Sequence, residues 1–171
     1  MYKKNIDLIL IIFVLIIATI SGSIFANITD KKNLLILGNN LKEFLNSGVN
    51  FELNNFLIGF FKNFRLVFFL WIIGFMPVFK KFFSLLILFF SGASYGLTCS
   101  IIINLFRSKG FFYIAKLIFI PCLILVPAQI FIAYLNFKKI DSFFRREDIF
   151  TILTMTIIIL LLTLLEFYFC V

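Results

Sequence analysis

The chain has 171 residues, 63% of them hydrophobic, with 27 Phe and no His. A mean hydropathy of +1.12 leaves too little polar surface to cover a water-soluble globule, so no soluble domain can be cut from it. The net charge of +8 falls almost wholly between apolar runs, where it would meet anionic lipid headgroups rather than nucleic acid.

Five apolar runs set the class: Ile6 to Ala26, Leu66 to Phe79, Phe82 to Phe106, Phe111 to Phe137 and Ile149 to Val171. A bilayer core is crossed by roughly 20 apolar residues of helix. Lipid offers no hydrogen-bond partner to the backbone, so such runs must be helical. The expectation is an all-α polytopic membrane bundle, a single integral membrane domain over residues 1–171. It would have five transmembrane helices, with two short amphipathic helices between spans one and two over residues 27–65. The excess of Phe with Ile, Asn and Lys is what codon bias in an AT-rich genome produces, and it carries no function of its own.

Lys3 and Lys4 precede the first run like the basic end of a signal peptide, and Ser23 to Ala26 is a faint cleavage-like end. At about 21 residues the run exceeds the 7–15 of a signal core and reads as a retained anchor. Within it Ala18, Gly22 and Ala26 recur every fourth residue, a small-residue stripe against which another helix can pack closely.

Between the first two runs, Asp30 can cap a helix that gathers Leu34, Leu37, Leu41, Phe44 and Leu45 on one face and stops at Ser47-Gly48. A second helix from near Asn50 places Leu53, Phe56, Leu57, Phe60, Phe61 and Phe64 on one side, with Glu52, Asn55, Lys62 and Asn63 on the other. Such faces either pack over the end of the bundle or offer a membrane-surface platform to another protein. The run from Leu66 to Phe79 reaches only about 21 Å against a core of about 30 Å. The preceding amphipathic helix is therefore expected to run straight into it.

Lys80-Lys81 turns the chain into the third run, where Gly92 and Gly96 form a G-x-x-x-G flanked by Ser91, Ala93 and Ser94. That stripe is expected to pack within the chain, with homo-oligomer formation as the alternative. The fourth run contains Pro121 and Pro127, each removing a backbone hydrogen bond and able to kink the helix, followed by Gln129 and Asn136. In the fifth, Glu166 is the acid set well inside an apolar run. Intramembrane carboxylates are tied to function or to a polar partner, and Glu166 with Asn63 are the candidate functional polar residues.

Orientation follows from counting basic residues between runs. With the N-terminus in the cytoplasm the inner set is Lys3, Lys4, Lys80, Lys81, Lys138, Lys139, Arg145 and Arg146. Counted whole, the outer set of Lys31, Lys32, Lys42, Lys62, Arg65, Arg107, Lys109 and Lys116 equals the inner and the rule does not decide; leaving aside the segment over residues 27–65, the outer set is Arg107, Lys109 and Lys116. This favours a cytoplasmic N-terminus and, for five spans, an extracytoplasmic C-terminus.

No catalytic, cofactor-binding or metal-binding residues are expected. The missing His removes the usual general base and the commonest transition-metal ligand. Cys99, Cys122 and Cys170 have no paired spacing. No nucleophile–base pair or close pair of carboxylates is visible.

Taken in order, these residues resemble the stage II sporulation protein M family. The resemblance rests on Trp71, Gly74 and Pro77, on Gly92, Gly96 and Thr98, on Lys109-Gly110, on Pro121 with Pro127-Ala128, and on Leu165-Glu166-Phe167-Tyr168. It implies a non-enzymatic multi-pass protein of a bacterial cell membrane that acts in forespore engulfment. Its partners would be stage II sporulation proteins D and P, which degrade peptidoglycan and which it anchors at the septal membrane. A membrane subunit of a small transporter or ABC-type export system is the alternative, with the proline-broken fourth span and Glu166 lining a path.

Overall fold

The computed structural model describes residues 3–28, 36, 39, 53–76, 78–138 and 146–170. Among them every regular element is a helix: α1 (Lys3–Ile28), α2 (Leu53–Ile73), α3 (Lys80–Phe106), α4 (Ser108–Ile114), a π-helical turn (Ala115–Phe119), α5 (Ile120–Lys138) and α6 (Arg146–Cys170). The expected first amphipathic helix, from Asp30 to Ser47, lies outside the described residues except for Ile36 and Asn39, both helical.

α1 buries one stripe, Ile11, Leu15, Ala18, Gly22 and Ala26, at the three- and four-residue spacing of a helix face. Ile9, Phe13, Ile16, Ile20 and Ile24 point away from the protein. The stripe lies on α3, the most extensive helix contact in the molecule. Gly92 of α3 sits against Ala18 and Leu15, Gly96 against Thr19, and the Asn104 amide donates to Oδ1 of Asn27 at 3.0 Å. Contacting residue numbers rise together, so α1 and α3 run parallel.

The second run differs from its expected limits of Leu66 to Phe79. Its helix runs unbroken from Leu53 to Ile73, so the second amphipathic helix continues straight into the second run, while the helix ends before the expected limit at Phe79. The end has a local cause. Gly74, Phe75 and Met76 donate their N–H groups to the carbonyls three residues back, on Trp71, Ile72 and Ile73, which tightens and closes the helix.

The fourth run, expected as one span from Phe111 to Phe137, is divided. Arg107 turns the chain with φ 49°, α4 follows for two turns, and the π-helical turn precedes α5. Pro121 has no N–H to give the carbonyl of Leu117, and the widened turn lies where that bond is missing. Pro127 stands inside α5, which continues through it. The first, third and fifth runs match α1, α3 and α6 within a few residues at each end.

α1, α2, α3, α5 and α6 share one apolar core containing Ile11, Val67, Leu70, Leu88, Ile132, Ile159 and Leu162. Among the described residues two helical stretches, Ile6–Ile28 and Lys80–Phe106, are long and apolar enough to cross a membrane; Cys122–Lys138 and Ile149–Leu165 are shorter apolar stretches. Two of the five expected spans therefore meet that test among the described residues. Lys62 and Arg65 interrupt α2, and the break before Pro121 shortens the fourth run. Only 22% of the apolar window of Ile6–Ile28 is buried, unlike the central helix of a water-soluble fold.

Candidate functional site: a buried polar seam

Hydroxyl groups on apolar helices usually return to the carbonyl one turn back, as Thr19, Thr98, Thr156 and Thr163 do. Two serines of α3 are instead engaged across a helix interface. Ser91 donates from Oγ to Oε1 of Gln129 at 2.9 Å, and Ser84 Oγ accepts from Nδ2 of Asn136 at 3.0 Å. Ser84 and Ser91 are seven residues apart, as are Gln129 and Asn136, so two antiparallel helices repeat one rung every second turn. Leu88 and Ile132, midway between the rungs by the same register, are both fully buried. The result is an α3/α5 seam in which polar rungs alternate with an apolar layer.

Asn136 ties a third helix to this seam. Because Gly74 bonds to Trp71, the carbonyl of Leu70 loses its partner within α2, and Nδ2 of Asn136 takes that place at 2.7 Å. Gly74 makes room for it, since a Cβ there would overlap Oδ1 of Asn136. Asn136 is 4% exposed, so its two bonds to Leu70 and Ser84 are made away from competing solvent. One side chain thus caps α2 and holds it to α3.

The upper rung is incomplete: Gln129 is fully buried and its Nε2 has no hydrogen-bond partner among the described residues. At the other end of the seam Lys80 is buried, while Lys81 and Lys138 are exposed. The Lys81 ammonium lies 5.4 Å from the ring centre of Phe137, and that of Lys138 lies 4.4 Å from the ring centre of Tyr134.

The residues singled out in the sequence divide as follows. Ala18, Gly22, Gly92 and Gly96 meet at the α1/α3 contact, where a Cβ on Gly22 would strike the carbonyl of Ala93 and one on Gly96 that of Thr19. Ala26 is buried further along the stripe, and Gly74 packs on Asn136. Pro121 and Pro127 lie in α5 and belong to neither rung. Phe60 and Phe64 are half buried against the protein's own core and begin a stack continuing through Phe68 to Trp71. Of the face proposed for partner docking this leaves Leu57 exposed, while the side chains of Leu53 and Phe56 lie outside those described. Asn63 is half buried on α2. Glu166 falls in the last part of α6 and its side chain lies outside those described.

Nothing in hydropathy marks Ser84, and Ser91 stands in the sequence as one small residue beside the glycine stripe. The available signal was the matched seven-residue spacing of Ser84 with Ser91 and of Gln129 with Asn136. The seam contains hydroxyl and amide groups and no base, and the described residues include no group of three His, Cys, Asp or Glu that could hold a metal ion. Its chemistry is to fix helices in register. No protein-family model, curated protein or solved structure matches the chain.

Proposed function

We propose that this protein is a multi-pass membrane scaffold of five helical passes that places cell-wall-degrading proteins and performs no chemistry itself. The observation that carries the reading is that four buried polar side chains, Ser84, Ser91, Gln129 and Asn136, bond helix to helix. Asn136 and Ser84 are spent on joining α2, α3 and α5, and Ser91 on Gln129. Polar groups used in this way give a bundle fixed geometry, which is what an anchoring platform needs. The apolar side chains pointing outward from α1 support a lipid surround.

The parallel run of α1 and α3 supports the alternation of passes, with the N-terminus in the cytoplasm. Lys80 and Lys81 then lie at the same end of the bundle as Lys3 and Lys4, in keeping with the enrichment of basic residues on the cytoplasmic side. By its resemblance to the stage II sporulation protein M family, the proteins it would recruit are stage II sporulation proteins D and P, at the septal membrane during engulfment. Affinity purification of the tagged chain after mild detergent extraction tests this. Recovery of either hydrolase supports the reading, and recovery of neither, with the bundle intact, sinks it.

A second reading, the membrane subunit of a small transporter or ABC-type export system, is favoured by the break ahead of Pro121 and by the buried Gln129 Nε2, which has no partner among the described residues. It requires Glu166 to work at depth. Under it Glu166→Gln abolishes function in cells, whereas the scaffold reading leaves that variant active.

A further inference from the structure

The lower end of the α3/α5 seam carries the exposed Lys81 and Lys138, whose charges no carboxylate among the described residues pairs. In the register set by Ser84 with Asn136, the residues of α3 at positions 80 and 81 are level with the end of α5 at Lys138. Lys81 and Lys138 are both exposed, and their ammonium groups rest on the rings of Phe137 and Tyr134 at 5.4 Å and 4.4 Å. Among the described residues neither forms an ion pair with a carboxylate. A cation over a ring keeps its charge and at least one open side for an anion. The rings also limit the motion of two otherwise flexible side chains, so less order has to be imposed when an anion arrives.

From this arrangement we infer that Lys81 and Lys138 form a binding site for the phosphate of an anionic phospholipid at the cytoplasmic end of the α3/α5 seam. The inference rests on the membrane reading above. Charge complementarity selects the occupant, because phosphate-bearing headgroups are the anions present at highest concentration at that depth. The neighbouring apolar surface fits the acyl chains of the same molecule: Phe79 and Phe82, beside the two α3 lysines, are each 61% exposed.

The test uses the full chain in nanodiscs of phosphatidylcholine containing a minor fraction of phosphatidylglycerol, with retained lipids counted by native mass spectrometry. The expected result is enrichment of phosphatidylglycerol over its bulk fraction, reduced about fivefold by each of Lys81→Gln and Lys138→Gln and about 25-fold by both together. Lys81→Arg with Lys138→Arg should keep the enrichment, which separates loss of charge from loss of fold. Enrichment unchanged in the double Gln variant overturns the site. So does equal displacement of the lipid by millimolar inorganic phosphate, which would make a free anion the ligand. Failure of the unaltered chain to enter phosphatidylcholine nanodiscs would count against the membrane reading itself, whereas entry without enrichment counts against this site alone.

Discussion

Replacing Gly74 by alanine probes the joint between α2 and the seam, and its effect should change sign with the residue at position 136. In the native protein the new methyl would overlap Oδ1 of Asn136 and stand 3.0 Å from the Trp71 carbonyl oxygen. Asn136 must then retreat from the Leu70 carbonyl and from Ser84. Ser84 can turn back to its own helix, so the lasting loss is one buried carbonyl without a donor, about 1–3 kcal/mol. Forcing a methyl into a filled space adds strain of about 1–3 kcal/mol. Because the two effects share one displacement, about 3 kcal/mol is the expected cost of Gly74→Ala. In an Asn136→Ala background the obstacle is gone and the carbonyl is already unbonded. There the alanine gains about 0.4–1 kcal/mol by restricting the unfolded chain, less what the tight Trp71 carbonyl contact takes back. The cycle predicts a coupling of about 3 kcal/mol, at the upper end for residues in direct contact. Trp71 is the chain's single tryptophan and lies three residues from Gly74, so its fluorescence during titration of the micelle-bound protein with sodium dodecyl sulfate reports the transition. Equal costs for Gly74→Ala in both backgrounds would refute the claim that this glycine exists to admit Asn136.

At the α1/α3 contact, Gly96→Ala should destabilise by about 1–3 kcal/mol and Gly92→Ala by less. The first meets the backbone carbonyl of Thr19, the second the Ala18 methyl at 2.9 Å and the Leu15 carbonyl oxygen at 3.0 Å; thermal unfolding in mild detergent ranks them. Ser91→Ala strips Gln129 of its remaining bond and should cost about 1–3 kcal/mol, whereas Ser91→Ala with Gln129→Leu should return close to native stability in the same assay. Arg107 holds φ 49° and ψ −125°, a region that glycine enters freely, so Arg107→Gly should raise the unfolding midpoint by relieving about 1–3 kcal/mol of backbone strain.

α1, α3 and α6 were legible because their apolar runs are long and have charged or turn-forming residues beside them. The small-residue stripes were equally plain, since Gly22 and Gly92 need only spacing to be recognised. What hydropathy could not show was the end of α2. Phe75, Met76, Val78 and Phe79 are as apolar as the helix before them, and the chain stops there through three-residue hydrogen bonds rather than through any polar residue. The division of the fourth run depended on how the backbone adjusts to Pro121, for which a widened turn and a simple kink are both available. The polar seam was hidden for a different reason. Ser84 and Ser91 look like residues that would bond to their own helix, and only the position of α5 shows that they do not.

α3 occupies the middle of the fold and presents two different chemistries to its neighbours. Ser84, Leu88 and Ser91 serve α5, while Gly92 and Gly96, one residue and hence about 100° further round the helix, serve α1. In lipid, hydrophobic burial supplies little drive for helices to associate, so close backbone approach and hydrogen bonds between helices decide which contacts hold. By that criterion α1, α3, α5 and the end of α2 form the firm part of the bundle. α6 is attached differently: its buried Met155, Ile159 and Leu162 join the shared core, and the described Thr154, Thr156 and Thr163 bond to the backbone of α6 itself. Glu166 belongs to this helix, four residues beyond Leu162, and to neither the α3/α5 seam nor the α1/α3 contact. Removing its charge should therefore leave the α3/α5 seam and the glycine contact undisturbed. A loss of function in Glu166→Gln at unchanged stability would then locate a direct role at that carboxyl group, and unchanged function would return the weight to the scaffold.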